Sequence, residues 1–274
     1  MNVFIMTDME GVAGVLNHDD WVLPTGRWYE KGQRFLTQEV NAAVEGLFAA
    51  GARDIVVADA HGAGGIDPEA LDPRASLQRG FPDPWPFGLD ASFHAVVWIG
   101  QHAKAGTPLA QIPHTEWFNT LDARLNGVSV GEFGMLAFCA ASLGVPTLFG
   151  SGDQAFCEEA RTLVAGIETV AVKRGLTPGS GSEMDTDTYR KRNLAAVHLQ
   201  PQRARALIRE GAERALRRLG REPSAFLPPV LTAPFRLEMD YRDFGSIPAH
   251  RTVREHPSDV IRCMNAPQRT VEAG

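Results

Sequence analysis

Short apolar runs alternate with longer segments of helical spacing along the first two thirds of the chain, and that alternation sets the expected architecture. Val3-Phe4-Ile5-Met6 reads as a buried strand. Over residues 32–50, Phe35, Leu36, Val40, Ala43, Val44, Leu47 and Phe48 recur at helical spacing, and Gly51 ends that helix. Ile55-Val56-Val57-Ala58-Asp59 is a β-branched strand. It completes a βαβ unit, which should be parallel and right-handed. Further strands are expected at residues 95–99, 146–149 and 168–172, with helices over 131–143 and 155–163.

Beyond residue 173 the pattern weakens. Residues 175–187 read as a long polar loop, and residues 203–219 as an amphipathic helix with a solvated arginine face. Residues 235–239 alternate like a strand, and the last ten or so residues should fray. Between residues 67 and 88, Pro68, Pro73, Pro82, Pro84 and Pro86 mark a loop and the edge of an inserted lobe. There is no internal repeat. The expected class is α/β: a three-layer α/β/α core with a mostly parallel sheet and a smaller inserted α/β lobe. Residues 1–80 would form the first part of the core, 81–130 the lobe and 131–274 the second part of the core.

Composition then removes several function classes. The 274 residues carry a formal net charge of -6, which argues against a nucleic-acid or acidic-membrane surface. No apolar run approaches transmembrane length, and the N-terminus lacks the features of a signal peptide. The three cysteines, Cys139, Cys157 and Cys263, are too few and too scattered for a disulfide framework or a thiolate zinc site. A cytoplasmic protein is expected.

Chemistry concentrates at predicted strand exits. Asp8 and Glu10 sit two residues apart at the end of the first strand, a spacing that points both carboxylates to one face. Such a pair is stable only beside something positive. His61 follows the second strand, His102 the third, Glu132 opens a helix, and His114 lies in the loop Ile112-Pro113-His114-Thr115. Singly, each reads as a cap, a dipole partner or a satisfied loop side chain. Together they would face one rim of one sheet, where α/β proteins bind ligands. A set without cysteine that mixes imidazole and carboxylate suits catalytic zinc, or manganese as second choice. Five ligands exceed what one catalytic zinc takes, whereas a carboxylate bridging two metals would use them all.

Other motifs carry less. Gly62-Ala63-Gly64-Gly65 lacks the Gly-Lys-Ser/Thr ending of a phosphate loop, His18-Asp19-Asp20 reads as a solvated turn, and Cys139 as a packed thiol. Neither a Gly-x-Ser-x-Gly elbow nor a His-Glu-x-x-His helix occurs.

Asp8-Met9-Glu10-Gly11, Asp59-Ala60-His61, Gly100-Gln101-His102-Ala103, Pro113-His114-Thr115 and Val130-Gly131-Glu132-Phe133-Gly134 occur in one order and spacing. In this the chain resembles the DppA-type D-aminopeptidases, a family of zinc metallopeptidases. The resemblance runs from residue 1 to about residue 173 and includes Gly150-Ser151-Gly152-Asp153 and Val172-Lys173. It implies that Asp8, Glu10, His61, His102 and Glu132 ligate two zinc ions per subunit and that His114 is the catalytic histidine. It also implies short peptide or amino-acid amide substrates with a free N-terminus, D-residues favoured, and a ring-shaped homo-oligomer. Thr7 stands where the family often has serine, and Gln101 where tyrosine is common. The 175–187 loop looks like an insertion, and the C-terminal third matches loosely, which bears on substrate choice more than on chemistry. The alternative is a metal-dependent amidase acting on a non-peptide or γ-glutamyl amide. Retention of all five ligands and His114 argues against a non-catalytic binding protein.

Overall fold

A computed structural model describes residues 1–271. Its first strand, β1 (Asn2–Thr7), sends alternate side chains to opposite faces. Val3 and Ile5 enter one apolar cluster, Phe4 and Met6 another. A strand buried on both faces belongs in the middle of a sheet covered by helices.

After the one-turn α1 (His18–Trp21), α2 (Tyr29–Ala49) buries Leu36, Val40, Ala43, Val44 and Leu47 against the first cluster. The chain then adds β2 (Asp54–Asp59) parallel to β1, and the short β3 (Ser76–Gln78) outside β2. Next, β4 (Ala95–Gln101) lies parallel on the other side of β1. The hairpin of β5 (Thr120–Leu125) and β6 (Val128–Ser129) leaves this sheet. After α3 (Glu132–Ser142), the chain returns as β7 (Thr147–Asp153), α4 (Gln154–Leu163) and β8 (Glu168–Gly175). Then α5 (Thr186–Arg192) leads to β9 (Ala196–His198), antiparallel to β8, and α6 (Pro201–Leu219) packs on α2. Finally β10 (Phe235–Tyr241), β11 (His250–His256), α7 (Val260–Met264) and β12 (Arg269–Val271) follow.

The main sheet has the order β3-β2-β1-β4-β7-β8-β9 and is parallel except for β9. Helices α2 and α6 cover one face; α3 and α4 cover the other. This is the expected three-layer α/β/α class. From β1 the chain builds outward through β2 and β3, then restarts on the other side with β4, β7 and β8. The strand order therefore reverses between β1 and β4, and the crevice above their carboxyl ends is the natural ligand site.

The lobe is divided differently from the expected 81–130. Ala95–Gln101 is a central strand of the main sheet, not part of the lobe. The second sheet, β12-β11-β10-β5-β6, joins residues 120–129 to strands from 235 to 271. Its defining pairing, β5 with β10, spans more than a hundred residues of chain and leaves no local pattern. The C-terminus also departs from expectation, since Arg269–Val271 pairs with β11 rather than fraying. Residues 272–274 of that segment lie outside the described residues. No helix of the described residues is long and apolar enough to cross a membrane.

The layer over the first cluster is tight. A Cβ on Gly46 of α2 would fall 2.1 Å from the carbonyl oxygen of Arg209 in α6. Gly46→Ala should therefore force the helices apart and cost about 1–3 kcal/mol, as overpacking does. A thermal melt tests this; an unchanged Tm would show that the two helices have room to spare.

Candidate metal centre

Each predicted site residue sits at the rim of the main sheet. Asp8 and Glu10 follow β1, His61 follows β2, His102 follows β4, and Glu132 opens α3. The β1 and β4 exits are drawn together by backbone: Asp8 N–H donates to the Ile99 carbonyl at 2.9 Å, and Gly11 N–H to the Gly100 carbonyl at 2.7 Å. Gly100 has φ +80°, and a Cβ there would fall 2.0 Å from the Asp8 carbonyl oxygen. Only glycine fits that position without displacing the Asp8 loop.

Asp8 stands between two imidazoles. Its Oδ1 lies 3.1 Å from His61 Nδ1, which also has Glu10 Oε2 at 3.2 Å. Its Oδ2 lies 3.1 Å from His102 Nε2, which also has Glu132 Oε2 at 3.5 Å. The far nitrogens are committed to backbone, His61 Nε2 to the Val22 carbonyl and His102 Nδ1 to the Ala103 carbonyl, each at 2.9 Å. With the outer N–H donated there, the inward nitrogen of each ring faces carboxylate oxygens and can hold either a proton or a metal ion. Metal-binding histidines show this same second hydrogen bond.

Lone pairs facing one another need a cation between them. Asp8 Oδ2 and Glu10 Oε2 are buried with no hydrogen-bond partner among the described residues. Two donors on one tetrahedral zinc stand about 3.3 Å apart, given bonds near 2.0–2.1 Å. The separations of 3.1 to 3.5 Å match that spacing. Five N and O donors at these separations fit zinc.

The electrostatics agree. Burial alone would raise the Asp8 pKa, yet His102 and His61 hold it well below the usual carboxylate value. Burial alone would lower both histidines. Glu10 and Asp8 instead raise His61, and Glu132 and Asp8 raise His102, well above the ordinary imidazole value. Protons therefore compete with a metal for these positions, and binding should weaken toward acid pH.

Two cations brace the loops from behind: Arg79, which sequence reasoning missed, and Lys173, which it noted only as part of the Val172-Lys173 element. Arg79 donates to the carbonyls of Asp59 at 2.7 Å, His61 at 3.2 Å and Gly62 at 2.7 Å. Lys173 Nζ donates to the carbonyls of Glu10 and Val15. Burial pulls the Lys173 pKa down to about 8, although Asp153, Glu39 and Glu10 favour its charge.

His114 is carried by a strained loop. Leu109, Ile112 and Glu116 all have φ near +57°, between 56° and 58°, a left-handed conformation rare for these side chains. The His114 ring stacks on His102 at 3.8 Å and on Phe118 at 4.5 Å between centroids. Its Nδ1 meets the Ile112 carbonyl at 2.9 Å, leaving Nε2 as the free nitrogen. Burial, with the His102 charge beside it, keeps its pKa below the ordinary value. The sequence offered it no partner at ligand spacing, but the fold brings it within 4.8 Å of ligating atoms of His102 and Glu132.

These groups open into a cavity of about 470 Å³. Its wall includes Trp85, Phe87, Trp98 and Trp117, and four carboxylates: Asp8, Glu10, Glu116 and Glu132. Among the described residues, no lysine or arginine lines it. Trp85 is fastened from the C-terminal part of the chain: Asn265 Nδ2 donates to its carbonyl at 2.7 Å, and its N–H donates to Asn265 Oδ1 at 3.1 Å. His18 is not the solvated residue expected. It is 4% exposed, lines the cavity and meets Trp117 and Phe118 edge-on. The apolar Trp21-Val22 that follows it was the available signal, because both are buried with it. Cys139 packs inside α3 as expected.

Residues 1–251 match the sequence profile of a peptidase family described as D-aminopeptidase, Peptidase_M55. A D-aminopeptidase of Bacillus subtilis (strain 168) is 33% identical over 181 residues, which make up 65% of this chain and 65% of that protein. The aligned stretch thus spans less than two thirds of that relative's length. The solved structure of the Zn-dependent D-aminopeptidase DppA from Bacillus subtilis, a self-compartmentalizing protease, matches with a TM-score of 0.79 at 25% identity. That match covers 97% of this chain and 95% of the other.

Zinc added to chelator-treated protein should raise its Tm, by an amount equivalent to about 2.7 kcal/mol at a hundredfold excess over Kd. Asp8→Ala removes the shared carboxylate and should abolish most of that shift. A wild-type protein whose melting ignores zinc would rule out the site.

Proposed function

The chain belongs to the D-aminopeptidase family, and on that premise we propose that it is a zinc aminopeptidase acting on short peptides or amino-acid amides with a free N-terminus, D-residues preferred. The observation that carries this reading is the Asp8 carboxylate set between two imidazoles whose outer nitrogens are already committed to backbone. Glu10, His61 and Asp8 would hold one zinc; His102, Glu132 and Asp8 would hold a second. When bound, the two ions supply Lewis acidity, acidifying a water and polarising the scissile carbonyl.

The remaining chemistry belongs to the chain. His114, neutral and with Nε2 free, accepts a proton from the attacking water and returns it to the leaving amine. The stacked His102 and Phe118 rings fix its plane. A wall with four carboxylates and no lysine or arginine among the described residues favours a cationic amine and repels anionic substrates. That selects against a γ-glutamyl amide, which brings its own carboxylate. The apolar remainder of the wall suits a small side chain sequestered from water. The likeness to a self-compartmentalizing protease supports a ring-shaped homo-oligomer. Three buried free cysteines suit a cytoplasmic location.

Elemental analysis should find more than one zinc per subunit. His114→Ala should keep that metal and its fold while turnover falls by roughly 10²- to 10⁴-fold, the range for a positioned acid–base group. Loss of metal in this variant would make His114 a ligand instead. Substrate is tested with D-Ala and L-Ala amides, each with and without N-acetylation. The D-amide should be cleaved fastest and the acetylated compounds hardly at all. Equal rates for the enantiomers would remove the D-preference, and undiminished cleavage after acetylation would remove the aminopeptidase assignment.

A further inference from the structure

An aminopeptidase must recognise an ammonium group two bonds from the carbon it attacks. Of the four carboxylates in the cavity wall, Asp8, Glu10 and Glu132 are committed to the metal centre, which leaves Glu116. Glu116 is exposed to the opening, and among the described residues its carboxylate accepts no hydrogen bond and forms no ion pair. The surrounding protein raises its pKa, Arg254 opposes that rise, and Arg254 itself donates to the Met264 carbonyl. No lysine or arginine of the described residues lines the cavity to neutralise it.

The backbone of Glu116 is set with care. Its N–H donates to Glu132 Oε1 at 2.7 Å, so the residue is tied directly to one of the metal-holding carboxylates. Its φ is +58°, a conformation that costs a glutamate free energy and persists only where surrounding structure imposes it. Thr115 and Trp117 close a tight turn around it, with Trp117 N–H donating to the Thr115 carbonyl at 2.7 Å. A strained, anchored and unpaired carboxylate beside the reacting centre has the chemistry of a cation receptor.

We infer that Glu116 receives the free α-ammonium of the substrate and is the residue that enforces an uncapped N-terminus. This inference rests on the aminopeptidase reading above. It makes Glu116 a binding residue rather than a proton carrier, so its loss acts on affinity more than on turnover.

The test compares zinc-loaded wild type with Glu116→Gln. The substrate is D-alanine p-nitroanilide, and the ligands are D-alanine hydroxamate and propionohydroxamate, which differ only in the amine. Loss of one charge-assisted hydrogen bond should raise KM and weaken binding of the amine-bearing hydroxamate by roughly 10- to 100-fold. Propionohydroxamate binding, zinc content and Tm should stay as in wild type. Glu116→Asp should recover part of the loss. If Gln disturbs the loop, Glu116→Asn serves in its place, because asparagine tolerates the left-handed backbone. If wild type prefers the amine and the variants keep that preference undiminished, the ammonium binds elsewhere and this inference falls alone. If wild type shows no preference for the amine, the aminopeptidase reading falls with it.

Discussion

Three carboxylates and two imidazoles share the rim of one sheet, and the surrounding structure is arranged to hold them there. Taking a single ion out of water costs several kcal/mol, so a cluster of like charges is tolerable only when each backbone segment that carries it is fixed by something else. Here the β1 exit is held by Lys173 through the carbonyls of Glu10 and Val15, and the β2 exit by Arg79 through those of Asp59, His61 and Gly62. Both cations grip main-chain oxygens rather than the carboxylates. They stiffen the loops while leaving the carboxylate oxygens themselves free to face a metal.

The sheet supplies the rest of the geometry. Because strand order reverses between β1 and β4, Asp8 and His102 meet across adjacent strands instead of across a helix layer. Gly100 lets the two exits converge, and α3 brings Glu132 in from the side with its first residue. The loop of His114 then crosses the opening in a strained conformation, stacking one imidazole on another. Rigid strands thus position the charge cluster, and a strained loop positions the His114 ring that lines the cavity, a division of labour suited to preorganised chemistry.

The residues gathered at the rim were legible in the sequence because each follows or opens an element with strong periodicity. Val3-Phe4-Ile5-Met6 and residues 95–99 read as buried strands, which indicated where Asp8 and His102 emerge. The second sheet was not legible, since β5 finds its partner in β10 and no local pattern links them. That misplaced the boundaries of the lobe. His18 was misjudged because two aspartates beside it suggested water, whereas Trp21 and Val22 pull the short helix inward. Glu116 was invisible for a different reason: its distinguishing property is a backbone angle, and a glutamate carries no sequence mark of left-handed φ.

The paired hydrogen bonds between Trp85 and Asn265 reach beyond local packing. Among the described residues, every side chain that lines the cavity has been synthesised by residue 132, yet the tryptophan that closes one wall is pinned by a residue more than a hundred positions further along the chain. On the ribosome, the rim would be present long before the pocket is walled. A newly made chain would therefore hold its charge cluster in an open, unshaped crevice until residue 265 has been made and folded back onto Trp85, so that the wall arrives well after the groups it encloses.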